Sequence, residues 1–294
     1  ITGNEGHSSL LDNNNNNEDN AEYEAKKLEQ YIHTLLEHSA NYALQNNKIM
    51  ALEKAHEAVS KFDNLKKLID DHDLEDHEAL RLSFAVSFNL AVQLQRKKMY
   101  EEAIEQYNAL VNTSHDHAGR IRVNMGNIYA EQEKYSDAVR MYKMAMDEIG
   151  ESPVIQHKIY RNIGNCYIKL KKYQQARQTY QAIMENQPDM QSGFNLIVCY
   201  YALGDREKMK QGYIQLLNID DGSFDNTSIN NNEDTENNDE LSQYDSLKEE
   251  MTLKKQQLHK FIFLAGQLLA PIIEHNAATG YDWIIEILKS YPHD

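Results

Sequence analysis

From Ser83 onward, apolar positions recur at helical spacing in pairs of short segments separated by polar turns. In the first segment of each pair a large residue stands at Leu90, Met125, Ile163 and Leu196. Beside it is a small residue at Ala91, Gly126 and Gly164, replaced by Ile197 in the fourth copy. Leu94, Tyr129, Tyr167 and Tyr200 follow one turn later. The second segment carries Ala103, Ala138, Ala176 and Met209, followed four residues on by Tyr107, Tyr142, Tyr180 and Tyr213. Small residues let two antiparallel helices approach closely, and the tyrosines fill the space around the contact. The large positions recur at intervals of 35, 38 and 33 residues, the long step being absorbed by the loop around Gly150–Pro153. Ile197 and Met209 are large where close contact calls for small side chains, so the fourth pair is expected to splay.

This alternation resembles the tetratricopeptide repeat (TPR), a helix–turn–helix unit of about 34 residues that needs roughly three copies for a stable stack. The fold expected is all-α: a TPR α-solenoid, coiled as a right-handed superhelix. Four repeats occupy 83–217. Before them, 21–70 reads as a degenerate TPR-like helical pair, with Leu28, Tyr31, Ile32, Leu35 and Leu36 on one helix. The second helix of that pair carries Ile49, Leu52, Ala55, Val59 and Phe62, and an acidic linker follows at 71–82. Residues 1–20 form a polar, low-complexity tract and 218–245 an acidic, Asn-rich insertion without Lys or Arg; both are expected to be disordered. Residues 246–294 hold one long helix, Leu247 to about Glu274, whose end Pro271 should kink. Gly280 then breaks the chain before a last helix, Trp283–Leu288, the start of a further helical repeat.

Composition narrows the function. The 294 residues carry 46 Asp and Glu against 30 Lys and Arg, a net charge of −16, which argues against a nucleic-acid surface. Arg96–Lys98 and Lys169–Lys172 fall on repeat turns and read as solvated turn residues. The most apolar run, Phe261–Ile273, is shorter than the roughly 18 residues of a membrane span, so no membrane insertion is expected. The chain opens on Ile inside a polar tract, as a segment of a longer protein would. Cys166 and Cys199 share one repeat position; neighbouring helices lie about 8–10 Å apart, beyond disulfide reach, so buried free thiols in a reducing compartment are expected.

Sites of chemistry are scarce. Asp71-His-Asp-Leu-Glu-Asp-His77 could hold a divalent ion through carboxylates and imidazole, but reads as an acidic linker supplying a helix N-cap. Ser114-His-Asp-His117 reads the same way. No phosphate loop, nucleophile elbow or zinc-ligand pairing is present in the sequence, so no cofactor and no enzymatic activity are expected. One constellation stands out: Asn89, Asn124, Asn162 and Asn195 each precede the large position of a first helix. Asn competes for backbone hydrogen bonds and is a poor mid-helix residue, so four in register ask for a reason. First helices line the groove of a TPR stack, and amides that both donate and accept suit an extended peptide. Asn127 and Asn165, one turn onward, would widen the row. The other reading is that these amides bridge neighbouring helices.

Phe88–Ala91, Val123–Tyr129, Gly193–Lys210, Lys260–Glu274 and Ala277–Trp283 together resemble the TPR subunits of intraflagellar transport complex B. Gly204-Asp-Arg-Glu-Lys-Met-Lys210 and Gly280-Tyr-Asp-Trp283 lie outside the generic TPR pattern and carry most of the specificity. The resemblance implies a non-enzymatic scaffold subunit, needed for kinesin-driven anterograde transport and cilium assembly. Its implied partners are other complex B core subunits and, indirectly, kinesin-2 and the microtubule axoneme. The implied location is the cilium, its axoneme and basal body, with a cytoplasmic pool. The alternative is a TPR adaptor or co-chaperone holding an acidic C-terminal peptide. That needs Lys and Arg converging on the groove, for which Arg161 and Lys158 are the nearby candidates.

Overall fold

The computed structural model describes residues 8–72, 74, 77–113, 115–150, 153–219, 246–274 and 276–291. Of the side chains of 8–19, 77–80, 115, 153 and 246–251 nothing is described. Among the described residues every regular element is helical. The chain divides into two compact units, Ile1–Gly150 and Glu151–Asp294.

The first unit holds α1 (Ser8–Leu44), α2 (Lys48–His72), α3 (His77–Arg96), α4 (Tyr100–Thr113), α5 (Ala118–Glu131) and α6 (Tyr135–Glu148). Consecutive helices pack as antiparallel hairpins, and α1 also touches α3. Their apolar stripes bury against one another in two clusters. One joins Ile32, Leu35, Ala58, Leu65, Leu82 and Val86. The other joins Leu52, Ala55, Leu90, Ala91, Ala103, Tyr107, Ile121 and Met125. Helix α1 opens at Ser8, inside the tract expected to be disordered; once the apolar face from Ala21 onward nucleates a helix, each added residue costs little to propagate it backward. Residues 1–7 lie outside the description. The expected acidic linker is shorter than 71–82, because α2 runs to His72 and α3 starts at His77.

The second unit holds α7 (Pro153–Lys169), α8 (Tyr173–Asn186), α9 (Met190–Leu203), α10 (Arg206–Leu217), α11 (Ser246–Ile273) and α12 (Ala277–Ser290). One continuous core joins Tyr180, Leu196, Tyr213, Leu269 and Ile284. Of the expected insertion, residues 220–245 lie outside the description. The fourth pair does not splay through loss of packing: Ile197 and Met209 are fully buried. Gly212 makes the room, since a Cβ there would stand 3.1 Å from Ile197 Cγ1. The small residue has moved from one helix of the pair to the other. Gly280 likewise is no chain break. It lies inside the first turn of α12, whose N-cap Asn276 forms a reciprocal capping box with Thr279. A Cβ at Gly280 would collide with the Ala270 carbonyl at 1.9 Å, so glycine there lets α12 cross α11 at backbone contact.

Five hairpins share one turn. Asn46, Lys98, Glu133 and Lys171 have φ between 57° and 64°, and Gly204 has φ 72°. In each, the left-handed residue donates its N–H three residues back, and the next residue donates five back, as Glu133 does to Ala130 and Lys134 to Tyr129. This satisfies the carbonyls orphaned at a helix end. The N-terminal pair therefore carries the same turn as the repeats, although its sequence is degenerate. A side chain in the left-handed region costs about 1 kcal/mol, and only the fifth turn avoids that cost with glycine. Glu133→Gly is therefore expected to stabilise the protein by about 0.5–1 kcal/mol, a rise in Tm of roughly 2–4 °C by calorimetry, whereas Glu133→Val should lower it.

Candidate functional site

The four tyrosines of the second helices, Tyr107, Tyr142, Tyr180 and Tyr213, are no more than 1% exposed. Their rings fill the space left by small residues: a Cβ at Gly126 would meet the Tyr142 ring at 2.6 Å, and one at Gly164 the Tyr180 ring at 2.6 Å. Such burial carries a phenolic hydroxyl inside, which costs about 1–3 kcal/mol if left unpartnered. Three hydroxyls are met from their own repeat. Tyr107 donates to Gln95 Oε1 at 3.2 Å, Tyr142 to Asn127 Oδ1 at 2.7 Å, and Tyr180 to Asn165 Oδ1 at 2.5 Å.

The asparagines before the large positions supply the second contact. Asn124 Nδ2 donates to the Tyr107 hydroxyl at 3.2 Å, and Asn195 Nδ2 to Tyr180 at 3.2 Å and to Asn165 Oδ1 at 3.1 Å. Asn89 follows the same rule with a different hydroxyl, donating to Ser39 Oγ at 3.0 Å while Ser39 donates to the Ala51 carbonyl at 2.8 Å. Gln93 Nε2 in turn donates to Asn89 Oδ1 at 3.2 Å. Asn162 holds the equivalent place in α7 and is half-buried. Asn89, Asn124, Asn127, Asn165 and Asn195 each hydrogen-bond to another helix, within their own pair or in the preceding one, which is the bridging arrangement. Burial drives the Tyr107 phenol up to about 12, with the Asn124 hydrogen bond pulling the other way, and raises the Tyr180 phenol as well.

Cys166 and Cys199 are buried free thiols, pushed by burial to about 11 and about 12. Arg161 is not open to a ligand carboxylate, because its Nη2 lies 3.0 Å from Asp189. Asp189 caps α9 by accepting from the Ser192 N–H at 3.0 Å, and its other oxygen also lies 3.1 Å from His157 Nε2. The nearby candidate Lys158 is exposed.

Cations do converge, in the first unit. An open cavity of about 580 Å³ is lined by Phe88, Val92, Gln95 and Arg96 of α3, and by Arg120, Asn124 and Glu131 of α5. Asn46, Lys48 and Lys98 complete its lining. Sequence reading missed this group because Arg96–Lys98 passed as turn residues. The legible signal is Arg120, one helical turn before Asn124 and so on the same face. Asn124 is the residue of the amide row that lines the cavity.

The two sequence stretches outside the repeat pattern also meet. Gly204 ends α9 in the left-handed conformation and Asp205 caps α10, accepting from the Lys208 N–H at 3.1 Å. Lys210 reaches Glu274 at 2.6 Å and lies 5.6 Å from the centre of the Trp283 ring, which packs 6.1 Å from Tyr213. Gly204–Lys210, Lys260–Glu274 and Gly280–Trp283 thus form one corner.

Repeat geometry, shared turns and tyrosine spacing define an all-α tetratricopeptide-repeat protein, and tetratricopeptide-repeat models match residues 83–147 and 160–189. The chain is similar to the human intraflagellar transport protein 88 homolog, being 34% identical over 278 residues, 92% of this chain and 34% of that protein. It spans about a third of the length of that curated relative. Among solved structures, TPR-like repeats of a Podosopora anserina kinesin light chain align with a TM-score of 0.45 at 16% identity, covering 64% of this chain and 93% of that one. BtubC from P. vanneervenii aligns with a TM-score of 0.45 at 16% identity, covering 75% and 95%.

Two outcomes test this geometry. Tyr180→Phe and Asn195→Ala are each expected to cost about 1–2 kcal/mol in urea unfolding, with a double-mutant coupling above about 0.5 kcal/mol; values near zero would return the amides to a ligand-binding role. At Asp189, burial acts to raise the carboxyl, but hydrogen bonds from Ser192 and His157 and the charge of Arg161 outweigh it, holding the group below its usual 3.8. A depressed carboxylate contributes stability above its unfolded value that is lost as pH falls through the folded value. Asp189→Asn should therefore cost about 1 kcal/mol near neutrality and flatten the loss of Tm between pH 5 and 3.

Proposed function

We propose that this chain is part of a non-enzymatic scaffold subunit of the intraflagellar transport B particle, needed for kinesin-driven transport and cilium assembly. The observation that carries the reading is the similarity to the intraflagellar transport protein 88 homolog across 92% of the chain. Stacked repeats act by binding: each buries its neighbour, stays stiff, and holds an extended surface in place. The partners proposed are other complex B core subunits, with kinesin-2 and the axoneme reached through them. The locations proposed are cilium, axoneme and basal body, with a cytoplasmic pool. In this reading Asn89, Asn124, Asn127, Asn162, Asn165 and Asn195 serve partner binding chiefly by fixing the repeats that present the surface, and Asn124 also faces the cavity.

A co-chaperone or other TPR adaptor is the second reading, favoured by the cations of the first unit. Affinity capture of the tagged chain from ciliated cells separates the two. Co-purification of complex B subunits is expected; recovery of chaperones without complex B would overturn the proposal.

A further inference from the structure

The cavity between α3 and α5 differs in charge from the chain that contains it. Lys48, Arg96, Lys98 and Arg120 surround it against a single carboxylate, Glu131, on a chain of net charge −16. That carboxylate already accepts from the Tyr100 hydroxyl at 2.8 Å. None of the four cations has an ion-pair partner among the described residues. Arg96 uses one nitrogen, donating Nη2 to the Ala43 carbonyl at 2.6 Å, which fixes the side chain and leaves the remainder of its fork. Arg120 stands over the Phe88 ring, its guanidinium carbon 4.9 Å from the centre. Four like charges held together without counter-ions repel one another, so an anionic occupant stabilises them.

The spacing decides the kind of anion. Arg120 marks the level of Phe88 along α3, and Arg96 stands eight residues further on the same helix, about 12 Å at 1.5 Å per residue. One carboxylate spans far less than that. Two acidic side chains four residues apart on an extended chain, at about 3.3 Å per residue, span about 13 Å and point to the same side. The residue midway between them faces the same way, onto the floor made by Phe88 and Val92. The Asn124 amide beside them offers its oxygen to a peptide N–H. Nucleic acid fits less well, because the chain around the cavity is acidic, with a net charge of −16.

We infer that this groove docks an extended segment of a partner protein with the pattern acidic-x-apolar-x-acidic, its carboxylates held by Arg120 and Lys98 with Arg96 and Lys48 at the far end. The inference deepens the scaffold reading by giving the chemistry of one bound partner, and it is measured without that partner.

The full chain is titrated into a fluorescein-labelled, C-terminally amidated peptide, Ser-Glu-Ser-Leu-Ser-Glu-Ser, followed by fluorescence anisotropy. Saturable binding is expected, weakened at least about threefold between 50 and 300 mM salt as the Debye length shrinks. The variant carrying Lys98→Glu and Arg120→Glu should bind at least about tenfold more weakly at unchanged Tm, with Lys48→Glu giving a smaller loss as a second, single-site check. Lys143→Glu, an exposed change of equal charge on α6, should bind as the parent does. The inference is overturned if no saturable binding is seen, or if the same peptide with Lys for Glu binds equally. It is overturned too if the double variant binds like the parent, or if an oligothymidine of 12 nucleotides binds more tightly than the peptide. These results concern the groove alone; capture of complex B by the tagged chain decides the scaffold reading separately.

Discussion

The constraint on which the stack depends is a buried hydroxyl that must find two partners. A helix pair closed by glycine or alanine leaves a space only a large ring can fill, and tyrosine fills it at Tyr107, Tyr142 and Tyr180. Phenylalanine would fill it as well, so the hydroxyl needs its own explanation. At Tyr107 and Tyr180 it donates to an amide within its repeat and accepts from the asparagine of the repeat that follows, as Tyr180 does with Asn165 and Asn195. Apolar packing alone would tolerate a slipped neighbour, because hydrophobic contact is non-directional. A hydroxyl held between two amides specifies the register, since a slip would strand it without a partner.

The arrangement has an end, and the end is informative. Among the described residues the Tyr213 hydroxyl has no hydrogen-bond partner, and burial pushes its phenol to about 12. The next helix, α11, presents Gly266 near that oxygen in place of an amide. The junction is secured by other means: Gly212 beneath Ile197, Gly280 against Ala270, and Lys210 between Glu274 and Trp283. The rule seen at Tyr107 with Asn124 and at Tyr180 with Asn195 is thus replaced at α11 and α12 by backbone contact and one ion pair beside an aromatic ring. That replacement accounts for the presence, in residues 204–210 and 280–283, of sequence the repeat pattern does not explain.

Much of this was legible. Alternating large and small positions located the hairpins of α3–α10, because period and side-chain volume suffice to choose which faces meet. Asn124 and Asn195 could be picked out as unusual in mid-helix, but their partners could not. The partner of each lies on the preceding pair, and sequence spacing does not reveal which of two faces an amide reaches across. Ile197 and Gly280 were misread for one reason: a pattern scores each position alone, whereas close approach belongs to a pair of residues. The compensation at Gly212 and the carbonyl of Ala270 appear only when both helices are in place. The left-handed residues Lys98, Glu133 and Lys171 gave no signal at all, since composition favours glycine there and the chain uses charged side chains.

The same limit explains why the cationic groove was hidden. Lys48, Arg96, Lys98 and Arg120 come from one turn and three helices, and each alone is an ordinary surface charge worth little. Brought around one concavity, their potentials add while the protein walls exclude part of the screening solvent. On a chain of net charge −16, acidic ligands are repelled over most of the surface and attracted at this place. The contrast therefore acts more on where and how fast an acidic segment docks than on how tightly it stays. Affinity has to come from the apolar side chain seated on Phe88 and Val92. A groove of this kind discriminates by requiring both features at a fixed separation, which is what a scaffold needs if it is to hold one segment among many acidic ones.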